Sequence, residues 1–363
     1  MKKWLIFFVL IIFFCATASA SEVNEYISDK LELLDSEIEG FSFSEFMEQI
    51  EEGQLDFSKM SFWERIFSAL GGEAYRCGKI ILKLLLPIIL FSLLSNMSLG
   101  TSGSVNTAAQ LVLYAVISAV AVGVFDEMIT LARETLTEIN MVTKCIVPVL
   151  FSLYMYSGNL VAAAFIKPAL FVTSQLFSDV ILKFFFPLTT VSFGLTLTDN
   201  VLGTGRLKYF GDLIGRFIKW SMVFSVTLYM TLVTTANMAG GAMSGLKLKS
   251  AKFAVATFVP VVGGILADGV ETVVASFKMI KGALGITGVF GVLYIAVIPV
   301  VKIFVVVFLF WLAASLTELS GERKPADLLH SIGSTIGLVG TLVVCNVFVF
   351  LIFSAVIMSG GAG

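Results

Sequence analysis

The chain has 363 residues, of which 57% are hydrophobic and 14% charged, and its mean hydropathy of +0.95 excludes a soluble globular domain. The net charge of −2 hides an asymmetry, because Ser21 to Lys79 holds 14 of the 26 acidic residues and only 5 of the 24 basic ones. The expected fold is all-α: a polytopic helical membrane protein of about 6–10 spans behind a short, exported, acidic segment, with no nucleic-acid partner.

At the front, Lys2 and Lys3 precede "WLIFFVLIIFFCA", and Ala18 and Ala20 then give a small-x-small site before Ser21. This reads as a secretory signal peptide over residues 1–20; the alternative is an uncleaved anchor. Residues 21–79 then form the exported segment. Ile27, Leu31, Leu34 and Ile38 recur at helical spacing among acids. "FSFSEFMEQIEEG" predicts a capped helix, with Ser42 as N-cap, Glu45 closing a capping box, Phe41 stapling onto Phe46 and Gly53 ending it. "SFWERIFSALGG" predicts an amphipathic helix in the bilayer interface. Such faces either meet lipid or pack on one another. Glu48, Glu51 and Glu52 are the candidate partner-docking residues.

The polytopic domain occupies 80–363. Apolar windows at Ile80 to Leu99, Thr107 to Phe125, Val180 to Leu197, Phe217 to Met238, Phe253 to Val270 and Ile332 to Met358 are each long enough to cross. Met141 to Ser178 and Leu284 to Leu316 are interrupted by Pro or Gly, and each reads as a bent helix or a hairpin. A hairpin in the first puts Arg206, Lys208, Arg216 and Lys219 in the cytoplasm, whereas a single bent helix puts Lys247, Lys249 and Lys252 there.

Two internal echoes divide the domain into possible repeats, about 80–178 and 180–290. "ILKLLLPI" at Ile81 returns as "ILKFFFPL" at Ile181, and Val-Pro-Val at 147–149 returns at 259–261 around Pro260. Weak symmetry of this kind accompanies inverted-repeat transporters. Pro87, Pro187 and Pro148 each stand four residues after a lysine, Lys83, Lys183 and Lys144. A helical proline removes a hydrogen bond from the carbonyl four residues back. Each site is therefore bent and wet, or the lysine simply snorkels from the first turn of its span. Asp179 is placed to pair with Lys183 on the helix face. Lys302, in "IAVIPVVKIFVVVFLFWL", is the candidate buried intramembrane charge unless Pro299 breaks the span.

Chemistry finds little foothold. His330 is the single histidine, and HExxH, GxSxG and P-loop patterns are absent. The cysteines show no metal or disulfide spacing. No enzymatic activity, cofactor or metal site is expected.

The signal, the acidic exported helices, "VTKCIVPVLFSLYMYSGN" and above all "KFAVATFVPVVGGILADGVETVV" resemble the stage III sporulation protein AE family of endospore-forming bacteria, across essentially the whole chain. The resemblance implies a multi-pass subunit in the mother-cell membrane around the forespore. It also implies a channel or secretion-like complex with a separate ATPase subunit and a forespore membrane protein, the exported segment facing the space between the membranes. The alternative is a stand-alone secondary transporter or permease, suggested by the repeats and Lys302.

Overall fold

The computed structural model describes residues 25–38, 40–53, 82, 86, 89, 103–156, 167–202, 206–258, 263–319, 321 and 323–359. Along the long helices, side chains are described over 111–153, 168–199, 206–235, 279–319 and 323–358. Among the described residues there is no strand. The expected signal peptide, the expected interfacial helix, nearly all of the expected first span and the residues Lys83, Pro87 and Pro260 lie outside them.

Two short helices come first, α1 over residues 25–37 and α2 over Phe43–Glu51. Ile27, Leu31, Leu34 and Ile38 are buried as their spacing predicts. Ser42 is the N-cap of α2 and accepts a hydrogen bond from the Glu45 N–H at 3.2 Å. Phe41 staples onto Phe46, ring centroids 5.3 Å apart, and Gly53 follows the helix with φ +69°. The capping box is modified: Glu45 accepts from Gln49, and the Asp35 carboxylate at the end of α1 receives the backbone N–H groups of Phe43 and Ser44. One acid thus satisfies two of the orphan donors of the next helix and fixes the corner between them.

Among the described residues, five long helices follow: α3 (Gly103–Tyr156), α4, α5 (Arg206–Phe258), α6 (Gly263–Leu319) and α7 (Arg323–Ser359). Helix α4 is continuous over Lys167–Val180, a π-helical turn at Ile181–Phe185, and Phe186–Leu202. Each of the five is long and apolar enough to cross a membrane, and the exposed apolar side chains of α5, such as Leu213, Phe217, Val223 and Phe224, suit contact with lipid. The chain is a multi-pass helical membrane protein. The 54 residues of α3 extend about 80 Å at 1.5 Å per residue, more than twice a bilayer core of about 30 Å, so the longest helices also project from it.

The ambiguous segments resolve differently. Helix α3 fuses the expected Thr107 to Phe125 span with the first arm of the Met141 to Ser178 region, because the charged stretch between them stays helical with Asp126, Glu127, Arg133 and Glu134 exposed. The chain then reverses: Phe151 of α3 meets Phe171 of α4 edge-on at 6.0 Å. Twenty residues of straight helix would separate them by about 30 Å, so this region is a hairpin. The Leu284 to Leu316 region is instead one helix that continues through Pro299. Its interior proline is tolerated because neighbouring helices hold α6 along its length.

At Lys183 the structure corrects the first-turn reading. Lys183 is mid-helix, sixteen residues beyond Lys167, and Pro187 is accommodated by widening the preceding turn. The Phe186 N–H reaches Ile181 O, five residues back. The extra residue relieves the clash a proline ring would otherwise make with the carbonyl four residues earlier.

Helices α6 and α7 form the tightest pair. Gly321, with φ +87°, turns the chain between them. Gly340 of α7 then lies where a Cβ would come within 3.0 Å of Ile303, so the two backbones approach more closely than larger residues allow. Buried threonines such as Thr143, Thr189, Thr287 and Thr317 return their hydroxyl protons to the carbonyl one turn back, which hides their polarity inside an apolar bundle.

Candidate functional site

The two ends of the bundle differ in charge and content. At the end of the bundle where Met358, close to the end of α7, meets Gly285, the α1–α2 unit rests on the middle of α6. Phe41 stacks obliquely on Tyr294 at 5.2 Å and Phe46 on Phe290 at 5.4 Å, while the Tyr294 hydroxyl donates to the Gly40 carbonyl. Phe43, fully buried, fills the notch at Gly291, where a Cβ would lie 2.2 Å from its ring. Helices α1 and α2 therefore neither form a domain of their own nor lie free on lipid. Their apolar face is covered by the membrane body, and Glu48, Glu51 and Glu52 are left exposed on the outside. Partial burial, and after it the neighbouring charge of Glu48, holds the Glu51 carboxyl above its ordinary 4.5.

The opposite end is basic. Along α6, Trp311, on which His330 stacks, lies 20 residues beyond Gly291, about 30 Å of helix. There, α4, α5 and α7 enclose a polar groove of 350 Å³. Its floor is made by buried Ser192, Thr196 and Thr335. Its rim carries Lys208, Arg216, Lys219 and His330, with Asp212 as the lone carboxylate. The groove exists because α5 comes unusually near α4: a Cβ on Gly211 would stand 3.2 Å from both the Ser192 carbonyl and the Thr196 hydroxyl, and Ser192 donates to the Gly211 carbonyl at 2.9 Å. His330 is held on the rim by stacking on Trp311 at 5.9 Å.

The intramembrane candidates do not converge. Lys183 closes an ion pair with Asp179 at 2.6 Å, the lysine side chain largely exposed and the aspartate about half so, as the i,i+4 spacing predicts. Pro187 is exposed beyond the π turn, and Pro148 lies exposed within α3 on the same face as Lys144. Lys302 is half-buried in the interior of α6, 17 residues before its end, where the continuity of the helix through Pro299 leaves it. A cation the sequence reading passed over, Lys281, is the more deeply buried, at 3% exposure. Its position at the start of an apolar run resembles any snorkelling lysine, so no local signal marks it. Asp35 and the Gly211–Gly215 pair were also unmarked, since their partners are on other helices.

A long-helix bundle with one acidic, helix-capped end and one basic, grooved end defines a multi-pass membrane protein with two chemically opposite poles. Residues 41–361 match the family described as stage III sporulation protein AE, and the chain belongs to that family. It is similar to the Stage III sporulation protein AE of Bacillus subtilis (strain 168), 24% identical over 310 residues, which is 85% of this chain and 78% of the relative. No solved structure matches the chain. Membership assigns it a role in sporulation.

Proposed function

We propose that the chain is an integral subunit of a sporulation channel or secretion-like complex between mother cell and forespore. In this reading it lies in the mother-cell membrane around the forespore, and its α1–α2 unit is exported into the intermembrane space as a docking surface. The observation that carries this reading is the two-sidedness of α2. Phe41, Phe43 and Phe46 bind the helix to α6, while Glu48, Glu51 and Glu52 are presented outward, unneeded for that attachment. An acidic face of this kind attracts a basic partner surface over a Debye length and is screened by salt. The separation of the acidic and basic poles supports the orientation, because the positive-inside rule assigns Arg206, Lys208, Arg216, Lys219, Arg323 and Lys324 to the cytoplasm. A separate ATPase subunit and a forespore membrane protein are the expected partners.

Replacing Glu48, Glu51 and Glu52 together by Lys should abolish salt-sensitive co-purification of those partners from sporulating cells, with membrane insertion retained. Undiminished co-purification and sporulation would overturn the docking role. The half-buried Lys302 in an unbroken α6 favours a second reading, a self-sufficient carrier. Purified protein that alone moves a solute into liposomes, and loses this with Lys302→Met, would establish it instead.

A further inference from the structure

The groove between α4, α5 and α7 is not accounted for by partner docking at the acidic pole. Three permanent cations, Lys208, Arg216 and Lys219, face a single carboxylate, Asp212, around one concavity. Structural neutralisation would call for acids in equal number, and the groove lacks them. The hydroxyls of Ser192, Thr196, Ser331 and Thr335 carry no charge to balance the cations, and they donate their protons to backbone carbonyls at 2.8–3.0 Å, so they offer the groove only acceptor lone pairs. The charged hydrogen-bond donors that line the space are Lys208, Arg216 and Lys219, with the imidazole of His330 beside them. A guanidinium flanked by two ammonium groups matches the geometry and charge of a phosphate oxyanion. The volume of 350 Å³ lies at the small end of ligand pockets, roughly 300–1,000 Å³, and suits a head group better than a large metabolite.

The surroundings indicate where such a phosphate comes from. Tyr209, Phe210, Phe217 and Trp220 of α5 are exposed, Tyr209 by 75% and Trp220 by 73%, and they alternate with the groove's cations along the same helix. Aromatic side chains interleaved with Lys and Arg mark the level of the lipid head groups.

We propose that this groove is a binding site for a phosphate oxyanion, borne by an anionic phospholipid head group or by free phosphate. The proposal is independent of the docking role of α2. The shared chemistry is charge-assisted hydrogen bonding from Lys208, Arg216 and Lys219, the lipid's glycerol lying toward the polar floor and its chains along the exposed face of α5.

The full chain, purified in detergent and reconstituted into phosphatidylcholine nanodiscs, provides the test. Native mass spectrometry would count retained phosphatidylglycerol, and calorimetry would follow inorganic phosphate. The triple variant K208Q/R216Q/K219Q should lower phosphatidylglycerol retention at least about tenfold, given the attraction each basic residue supplies at a membrane surface. Ser334→Phe, which keeps every charge but fills the groove, should do likewise. The control R323Q/K324Q, at the same pole but outside the groove, should retain lipid as the wild type does. Retention of phosphatidylglycerol without measurable phosphate binding identifies the lipid. Phosphate binding that phosphatidylglycerol does not compete with identifies the free anion. The site is refuted if R323Q/K324Q loses as much as the groove variant, if well-folded S334F loses nothing, or if the triple variant binds both ligands as the wild type does.

Discussion

Gly291 shows how much one hydrogen in place of a methyl can decide. Alanine normally stabilises a helix interior over glycine by up to about 1 kcal/mol. At this position the added Cβ would stand 2.2 Å from the Phe43 ring, which is wedged edge-on against Phe41 at 4.7 Å and has no room to retreat. Gly291→Ala should therefore lower the stability of the purified protein by about 1–3 kcal/mol through overpacking. In a Phe43→Ala background the same change should be neutral or stabilising. Thermal unfolding of the two single variants and the double variant measures this coupling, and simple additivity would mean that α2 is not seated on α6. Glu51 offers a second test. With its folded-state carboxyl held above 4.5, the native state keeps that proton more tightly than the unfolded chain, so stability falls as pH rises through this interval and the penalty is complete above it. Glu51→Gln should remove that pH dependence and melt higher than the wild type at neutral pH, whereas below the interval the two should coincide. The sequence made the apolar face, the Ser42 cap and the Phe41–Phe46 staple legible, because each is a contact between near neighbours. It concealed the environment of Ser44, whose hydroxyl is buried although it lies between the N-cap Ser42 and the exposed Glu45 in the first turn of α2.

Among elements, the α3–α4 hairpin is the decisive join. An apolar run broken by Pro148, Gly158 and Pro168 fits a kinked helix and a hairpin equally well, since both need the same breakers. The packing of Phe171 against both Phe151 and Phe353, the latter at 6.1 Å, selects the hairpin. With the native cysteines replaced by serine, Phe151→Cys and Phe171→Cys should be joined by a short bifunctional thiol reagent. A protease site inserted between residues 157 and 166 would then yield fragments that stay linked; separate fragments would restore the bent helix. The π turn at Ile181–Phe185 belongs to this scale too. The motif Lys-Phe-Phe-Phe-Pro announced a disturbance in the hydrogen-bond ladder, but an inserted residue and a kink satisfy the proline equally. Only the register of α4 against its neighbours distinguishes them.

At the scale of the whole molecule, the hairpin and the fusion of short spans into longer helices change the expected number of crossings before Arg206 by an even number, from five to three with the first span included. The expected side of Lys208 is therefore unchanged. A reporter fused at Lys208 should behave as cytoplasmic, and Glu52→Cys, at an exposed position, should react with an impermeant thiol reagent from outside. Labelling at Ser44 is the poorer choice because that hydroxyl is buried. Finding both positions on one side of the membrane would contradict the bundle, in which α2 is seated at Gly291 and the groove lies at the level of Trp311, about 30 Å further along α6.

The sequence by itself determined the solvent of this protein, its helical class, the amphipathic faces of α1 and α2, the start and stop of α2 and the Asp179–Lys183 pair. All of these follow from composition or from spacings within one or two turns of a helix. Only the tertiary structure decided that α2 docks in the notch at Gly291, that α3 and α4 fold back on each other, and that residues from Ser192 to Leu338 close one basic groove. The physical reason is that helices apolar on nearly every side give the sequence no preferred face. Their partners are chosen by shape, through glycine notches, aromatic wedges and the close approach of backbones distant along the chain.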